Sequence, residues 1–148
     1  HTFTHDQIQA WIDAQLRYYR QDNAGYFAAI EKTSGAFVGQ MGLHRCEVNQ
    51  QSLFEVCYML KHSYWHKGYA REGVQALTHY AFTAMALAEV CAQIKTNNTS
   101  SLRVAEATGF ERKATFIKNY NGKAMDHFLY LKANPGFSKN PAKNRGPI

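Results

Sequence analysis

The chain has 148 residues, 45% of them apolar and 19% charged, with a net charge of +6, which suits one domain with a real core and excludes a disordered chain. No apolar run reaches the roughly eighteen residues of a membrane span, and no signal peptide is read at the start, where His1 rather than Met stands first. Three cysteines, Cys46, Cys57 and Cys91, are odd in number and widely spaced, which argues against a disulfide framework or a CxxC metal site and makes a reducing, cytoplasmic setting the expectation.

In chain order, Thr4 with Gln7 forms a capping box, and Ile8, Trp11, Ile12, Leu16 and Tyr19 then line one helical face, predicting a helix from about Thr4 to Tyr19. Tyr26 to Lys32 and Ala36 to His44 read as strands joined by Thr33-Ser34-Gly35. Phe54 to Leu60 is short, apolar and aromatic, as a buried strand is. The turn Tyr64 to Gly68 follows, and then a helix to about Met85 with Val74, Leu77, Tyr80, Ala81 and Ala84 near helical spacing. Glu89 to Lys95 is a further strand. Asn98 opens a short helix with cap-type residues, and Gly109 stops it. Arg112 to Tyr120 and Lys123 to Leu131 make a hairpin about Asn121-Gly122, a type I′ signal. Beyond lie Lys139, Lys143 and Arg145 with no acid, and all three prolines, Pro135, Pro141 and Pro147. This reads as a basic tail on the surface.

Two of these stretches carry chemistry. A turn before a helix leaves the first amides without intrahelical partners and aims them, with the positive end of the helix dipole, at an anion. Gly68 lets a ligand approach, Ala70 and Gly73 keep the first turn slim, and Lys67 and Arg71 add charge. Taken alone, this Gly motif reads about as well as an ordinary strand-to-helix turn.

Together, Trp65-His66-Lys67-Gly68-Tyr69-Ala70 and the helix Asn98 to Phe110 resemble the GNAT superfamily of acyl-CoA-dependent N-acetyltransferases. The first is similar to its CoA pyrophosphate loop in the W-x-K-G-Y-A form. The second is similar to the N-x-x-S-x-R-V-x-E-x-x-G-F helix of the branch that acetylates ribosomal-protein N-termini, the RimJ/RimL type. The resemblance covers the chain to about Lys132. It implies an α/β (α+β) fold with a mixed, mostly antiparallel central sheet flanked by helices, a domain over residues 1–132 and a basic tail over 133–148. The chain begins at what resembles the family's second helix, so the first strand and helix of that fold are expected to be absent from it. An uncovered sheet edge invites pairing, and a homodimer is one expectation.

The resemblance also implies acetyl-CoA as donor, a primary amine as acceptor, and roles for particular residues. Met59 and Leu60 are candidates for the backbone amide that polarises the thioester carbonyl, a contribution of a few kcal/mol in general. His66, Lys67, Gly68, Tyr69, Ala70 and Arg71 would hold the pyrophosphate. Asn98 either holds the pantetheine arm or is only a cap. Glu55 would deprotonate the amine through water, or is a structural carboxylate. Ser101 would protonate the departing thiolate in place of the tyrosine that many relatives carry where Ala105 stands here, or is a first-turn hydroxyl bonded to backbone. Lys118 departs from the branch, since an acidic residue belongs at that place. The seven histidines show no HExxH or other ligand spacing, so no metal is expected.

A weak base constrains the acceptor. At pH 7, freeing an α-amine costs about 1 pK unit and freeing a lysine about 3, at roughly 1.4 kcal/mol each. A peptide N-terminus or small α-amine is therefore favoured over a lysine side chain. Two rivals stand beside the enzyme: a non-catalytic acyl-CoA-binding module, suggested by Lys118 and Ala105, and, ranked well below, a basic nucleic-acid-binding protein resting on charge and tail alone.

Overall fold

The computed structural model describes residues 3–48, 50–120 and 122–137. Asn121, half of the expected Asn-Gly turn, and the tail residues Lys139, Pro141, Lys143, Arg145 and Pro147 lie outside them, as does His1.

Helix α1 (His5–Asp22) starts at the expected capping box, with Thr4 N–H bonded to Gln7 Oε1 at 2.9 Å and Gln7 N–H to Thr4 Oγ1 at 3.3 Å. Strands β1 (Tyr26–Ile30), β2 (Phe37–Val48) and β3 (Gln51–Leu60) form a meander. The β2–β3 hairpin runs longer than the apolar pattern announces, because Arg45 to Gln51 is polar yet continues the ladder from Arg45↔Phe54 to Val48↔Gln51. A 3-10 turn (His62–Tyr64) leads to α2 (Tyr69–Thr83), and β4 (Glu89–Lys95), α3 (Thr99–Ala107), β5 (Glu111–Tyr120) and β6 (Lys123–Ala133) follow. The end of α3 closes on itself, Gly109 N–H bonding Glu106 O at 3.1 Å and Phe110 N–H bonding Ala105 O at 3.0 Å.

The six strands lie in one sheet in the order β1-β2-β3-β4-β6-β5, antiparallel everywhere except between β3 and β4. Leu43, Val56, Val74, Ala81, Val90, Ala92, Ala105 and Tyr130 form the core, between one face of the sheet and helices α2 and α3. Fully burying a valine or leucine among these is worth about 1.5–3 kcal/mol. Gly73 has a packing role here beyond slimness: a Cβ on it would lie 2.0 Å from Met41 Sδ, so any larger residue would have to displace the end of the Met41 side chain.

The expected apolar face of α1 is mostly open to solvent. Ile8 is 47% exposed, Trp11 42% and Leu16 43%. The helix is held to β1 by hydrogen bonds and aromatic contacts: Tyr26 N–H donates to Gln15 Oε1 at 3.0 Å, the Tyr19 hydroxyl donates to Tyr26 O, and the Tyr19 ring stacks on Phe27 with centroids 5.4 Å apart. A five-residue strand offers too little surface to cover the whole stripe. Among the described residues, no helix is long and apolar enough to cross a membrane.

Candidate acyl-CoA and acceptor site

The turn before α2 has the features an anion site requires. Its first backbone helix bond runs from Glu72 N–H to Gly68 O at 3.0 Å, so the amides of Tyr69, Ala70 and Arg71 are free of helical partners. Gly68 has φ +86°, a conformation that L side chains rarely adopt, and no protein atom lies within 4 Å of where its Cβ would be. The space in front of these amides is therefore open. Trp65 shapes the approach, its indole N–H donating to Leu60 O at 2.9 Å and its ring 4.8 Å from that of His62. His66 takes a left-handed φ of 59°. Lys67 Nζ sits 5.1 Å above the Tyr64 ring, Arg71 is exposed in the first turn, and the Tyr69 hydroxyl donates to Glu31.

Strands β3 and β4 share a single register pair, Glu55↔Cys91, and then separate. One position further on, Gln93 N–H donates to a side chain, Glu55 Oε1, at 3.2 Å. The β2–β3 register decides which groups face the gap. Lys61 N–H bonds Val38 O at 2.9 Å, the two residues being partners, so odd-numbered residues of β3 spend their backbone groups on β2 and even-numbered ones point away. Met59 therefore does not supply the amide expected of it. Leu60 does face the gap, as does Tyr58, which the sequence reading passed over.

The gap is a cleft of about 350 Å³ lined by successive residues of β3, Glu55 through Tyr58, so it passes through the sheet from one face to the other. On the α3 side, Asn98 caps the helix, accepting from Ser101 N–H at 3.2 Å, and the Tyr58 hydroxyl donates to Ser101 Oγ at 3.0 Å. Ser101 thus has a side-chain partner, and its own proton remains available. Burial pushes the Tyr58 phenol up from its ordinary value, against a smaller opposing effect of the bond to Ser101. The phenol stays protonated and able to donate.

On the opposite face, a hydrogen-bonded row crosses four strands. Glu55, 8% exposed, accepts at Oε1 from Gln93 N–H and at Oε2 from Gln93 Nε2 at 3.1 Å, with His44 Nε2 3.4 Å from the same Oε2. Gln93 Oε1 in turn accepts from Lys118 Nζ at 3.3 Å. The cation at the place where the branch carries an acid is thus tied to this row. Cys57 Sγ is 3.0 Å from His44 Nδ1. Burial, reinforced by the Glu55 charge, pushes the Cys57 thiol far up, so sulfur keeps its proton, with Glu55 O also within its reach at 3.5 Å. His44, Glu55 and Cys57 place nitrogen, oxygen and sulfur within 4.8 Å of one another, and hydrogen bonds already account for all three groups. Cys46 and Cys91 bring their sulfurs to 3.4 Å on the same face.

His127, also on this face, lines the cleft and is 7% exposed. Neither Tyr58 nor His127 was singled out from the sequence. Strand alternation from Phe54 does put Tyr58 on the helix-facing side with Val56, but only cross-strand register brings His127 opposite Lys95 and into the cleft.

A family model described as an acetyltransferase (GNAT) domain matches residues 1–111. The uncharacterized protein YkkB of Bacillus subtilis (strain 168) is 30% identical over 112 residues, covering 76% of this chain and 65% of that protein. The uncharacterized N-acetyltransferase p20 of Bacillus licheniformis is 27% identical over 128 residues, covering 84% of this chain and 68% of that one. The chain thus spans about two thirds of the length of these relatives. Among solved structures, the ribosomal-protein-S5-alanine acetyltransferase of Vibrio fischeri superposes with a TM-score of 0.77 at 22% identity, over 93% of this chain and 79% of that one, a likeness of fold. The splayed β3–β4 pair, the open amides of α2 and the match over three quarters of the sequence agree: the chain belongs to the GNAT acetyltransferase family.

Proposed function

We propose that this chain transfers an acetyl group from acetyl-CoA to a primary amine, and that the acceptor is a protein or peptide N-terminal α-amine or a small amine. The observation that carries this reading is the cleft between β3 and β4, which is lined by the Tyr58–Ser101 pair from one face and by Glu55 and Gln93 from the other, in a fold that also leaves the first amides of α2 open. The pyrophosphate fits before Tyr69, Ala70 and Arg71, with Lys67 and His66 beside it, and the pantetheine arm along the open edge of β3 toward Leu60. Asn98 serves the site as the cap that orients Ser101.

In the transfer, the amine lone pair attacks the thioester carbonyl carbon. A backbone amide on the open edge of β3 stabilises the oxygen as charge develops on it. The carbon–sulfur bond then breaks, sulfur keeps the electron pair, and it takes the proton of Ser101, which Tyr58 can replace. Glu55 presents a buried negative charge that draws the ammonium group of the acceptor to the mouth of the cleft. The α-amine preference rests on its easier loss of a proton, and the fold shared with a ribosomal-protein-S5-alanine acetyltransferase is consistent with it. A cytoplasmic location and pairing through the β1 edge belong to the same reading.

Calorimetric titration with acetyl-CoA, followed by thiol release with N-terminal peptides, polyamines and amino acids, tests it. Saturable binding with turnover on α-amines is expected. Binding without turnover on any of these amines would favour the acyl-CoA-binding module, and turnover on lysine side chains alone would overturn the acceptor assignment.

A further inference from the structure

Acetyl transfer to an amine requires a group that takes the amine's proton, and we infer that this group is Nε2 of His127. The inference rests on the acetyltransferase reading above. His127 Nδ1 lies 2.9 Å from Met125 O, and a carbonyl oxygen only accepts, so Nδ1 carries the proton. In the neutral ring Nε2 then holds a bare lone pair. Among the described residues, no enclosed side-chain nitrogen or oxygen lacks a partner. Nε2 has no hydrogen-bond partner among the described residues, and His127 lines the cleft. The Phe116 ring, 5.7 Å away, fixes the plane of the imidazole.

The other polar groups facing this space are already committed. Glu55 accepts from Gln93 twice and meets His44, so both of its oxygens are engaged. Cys57 holds its own proton and sits against His44 Nδ1 and Glu55 O. Lys95, opposite His127 on β4, and Lys118, opposite Met125 and so diagonal to His127 on β5, have no lone pair to offer when charged. From α3 come only Asn98 and Ser101, neither of which titrates in the working range. Those lysines, Glu55 and Cys57 are the charged or titratable groups against which the protonation of His127 is set.

The balance closes. A charged acceptor first gives one proton to Nε2, which bares its lone pair, and solvent carries that proton away; as nitrogen then bonds to the carbonyl carbon, its second proton passes to the emptied Nε2. The thiolate released takes one proton from Ser101, and solvent exchanges protons with His127 and Tyr58 to restore the starting state.

The test compares wild type with His127→Gln and His127→Ala. For alkylamines that are charged at the assay pH, His127→Gln is expected to lower kcat/KM by about 10²–10³-fold, the range of general base catalysis, with acetyl-CoA affinity by calorimetry unchanged. The defect should shrink for acceptors already uncharged at that pH, and added imidazole should restore part of the activity of His127→Ala. A loss under about threefold, or an equal loss for both kinds of amine without rescue, would overturn the assignment while leaving the enzyme reading intact. Imidazole ¹⁵N spectra, assigned by comparison with His127→Gln, need no turnover: an Nδ1–H tautomer is expected, and an Nε2–H tautomer would overturn the inference. Absence of acetyl-CoA binding by wild type would overturn the acetyltransferase reading and this inference with it.

Discussion

On the face covered by α2 and α3, Leu43, Val56, Ala92 and Tyr130 are closed off among hydrocarbon, whereas on the opposite face His44, Glu55, Cys57 and Gln93 are held in place by one another's hydrogen bonds. The first face stabilises by area removed from water, which is non-directional. The second stabilises little on net, since each such bond is worth about 0.5–1.5 kcal/mol, but it fixes where charges and protons sit. The same strands serve both, because alternation sends Val56 and Tyr58 one way and Glu55 and Cys57 the other. Stability and chemistry are thus separable in this sheet, residue by residue.

Breaking that separation has graded consequences. Leu43→Ala, at a fully enclosed site, should cost about 2–5 kcal/mol in denaturant unfolding, with the catalytic groups untouched. Gly68→Val should weaken acetyl-CoA binding by about a hundredfold in calorimetry, because a side chain would enter the open space before the α2 amides, and the positive φ would add about 1–3 kcal/mol of strain. Tyr58→Phe should lower kcat by about tenfold, less than Ser101→Ala, with a small change in melting temperature, since the phenol acts through Ser101.

The Cys57 thiol gives a pH signature on the polar face. Its folded value is raised, so its contribution to stability is full below the unfolded thiol value, about 8.5, and declines as pH rises beyond it. Melting curves from pH 7 to about 10 should show this decline, and Cys57→Ser should make it shallower. Smallest of all, Leu16→Ala on the exposed stripe of α1 should stay within about 0.5 kcal/mol of wild type. A larger loss there would mean that α1 contributes to the core more than its exposure shows.

The elements most legible in the sequence are those with chemical punctuation. Glu89–Lys95 is bounded by its apolar run, α1 begins at its capping box, and α3 is framed by Asn98 and Gly109. The long β2–β3 ladder is less so, because Cys46 to Val48 pairs with Gln51 to Leu53 through backbone bonds that leave no trace in hydropathy. Ile8, Trp11 and Leu16 mislead in the other direction, since periodicity shows an apolar face without showing that anything covers it. Within the site, Gly68, Glu55 and Ser101 stand out as residue types in a pattern. Met59 and Leu60 can be told apart only by knowing which neighbour takes each amide, and His127 enters the cleft only because β6 lies beside β4.

Gln93 bears on how the cleft stays open. Two neighbouring parallel strands left to themselves would go on zipping, each new rung made of main chain and indifferent to sequence. Here the next rung is intercepted: the amide that Val56 O would claim is satisfied by the carboxylate of Glu55. The width of the passage is thereby written in a side chain, and a single codon at position 55 can edit it. Amide exchange at Gln93 reads this directly, since Glu55→Ala would either free that proton to water or return it to the ladder and narrow the passage through the sheet.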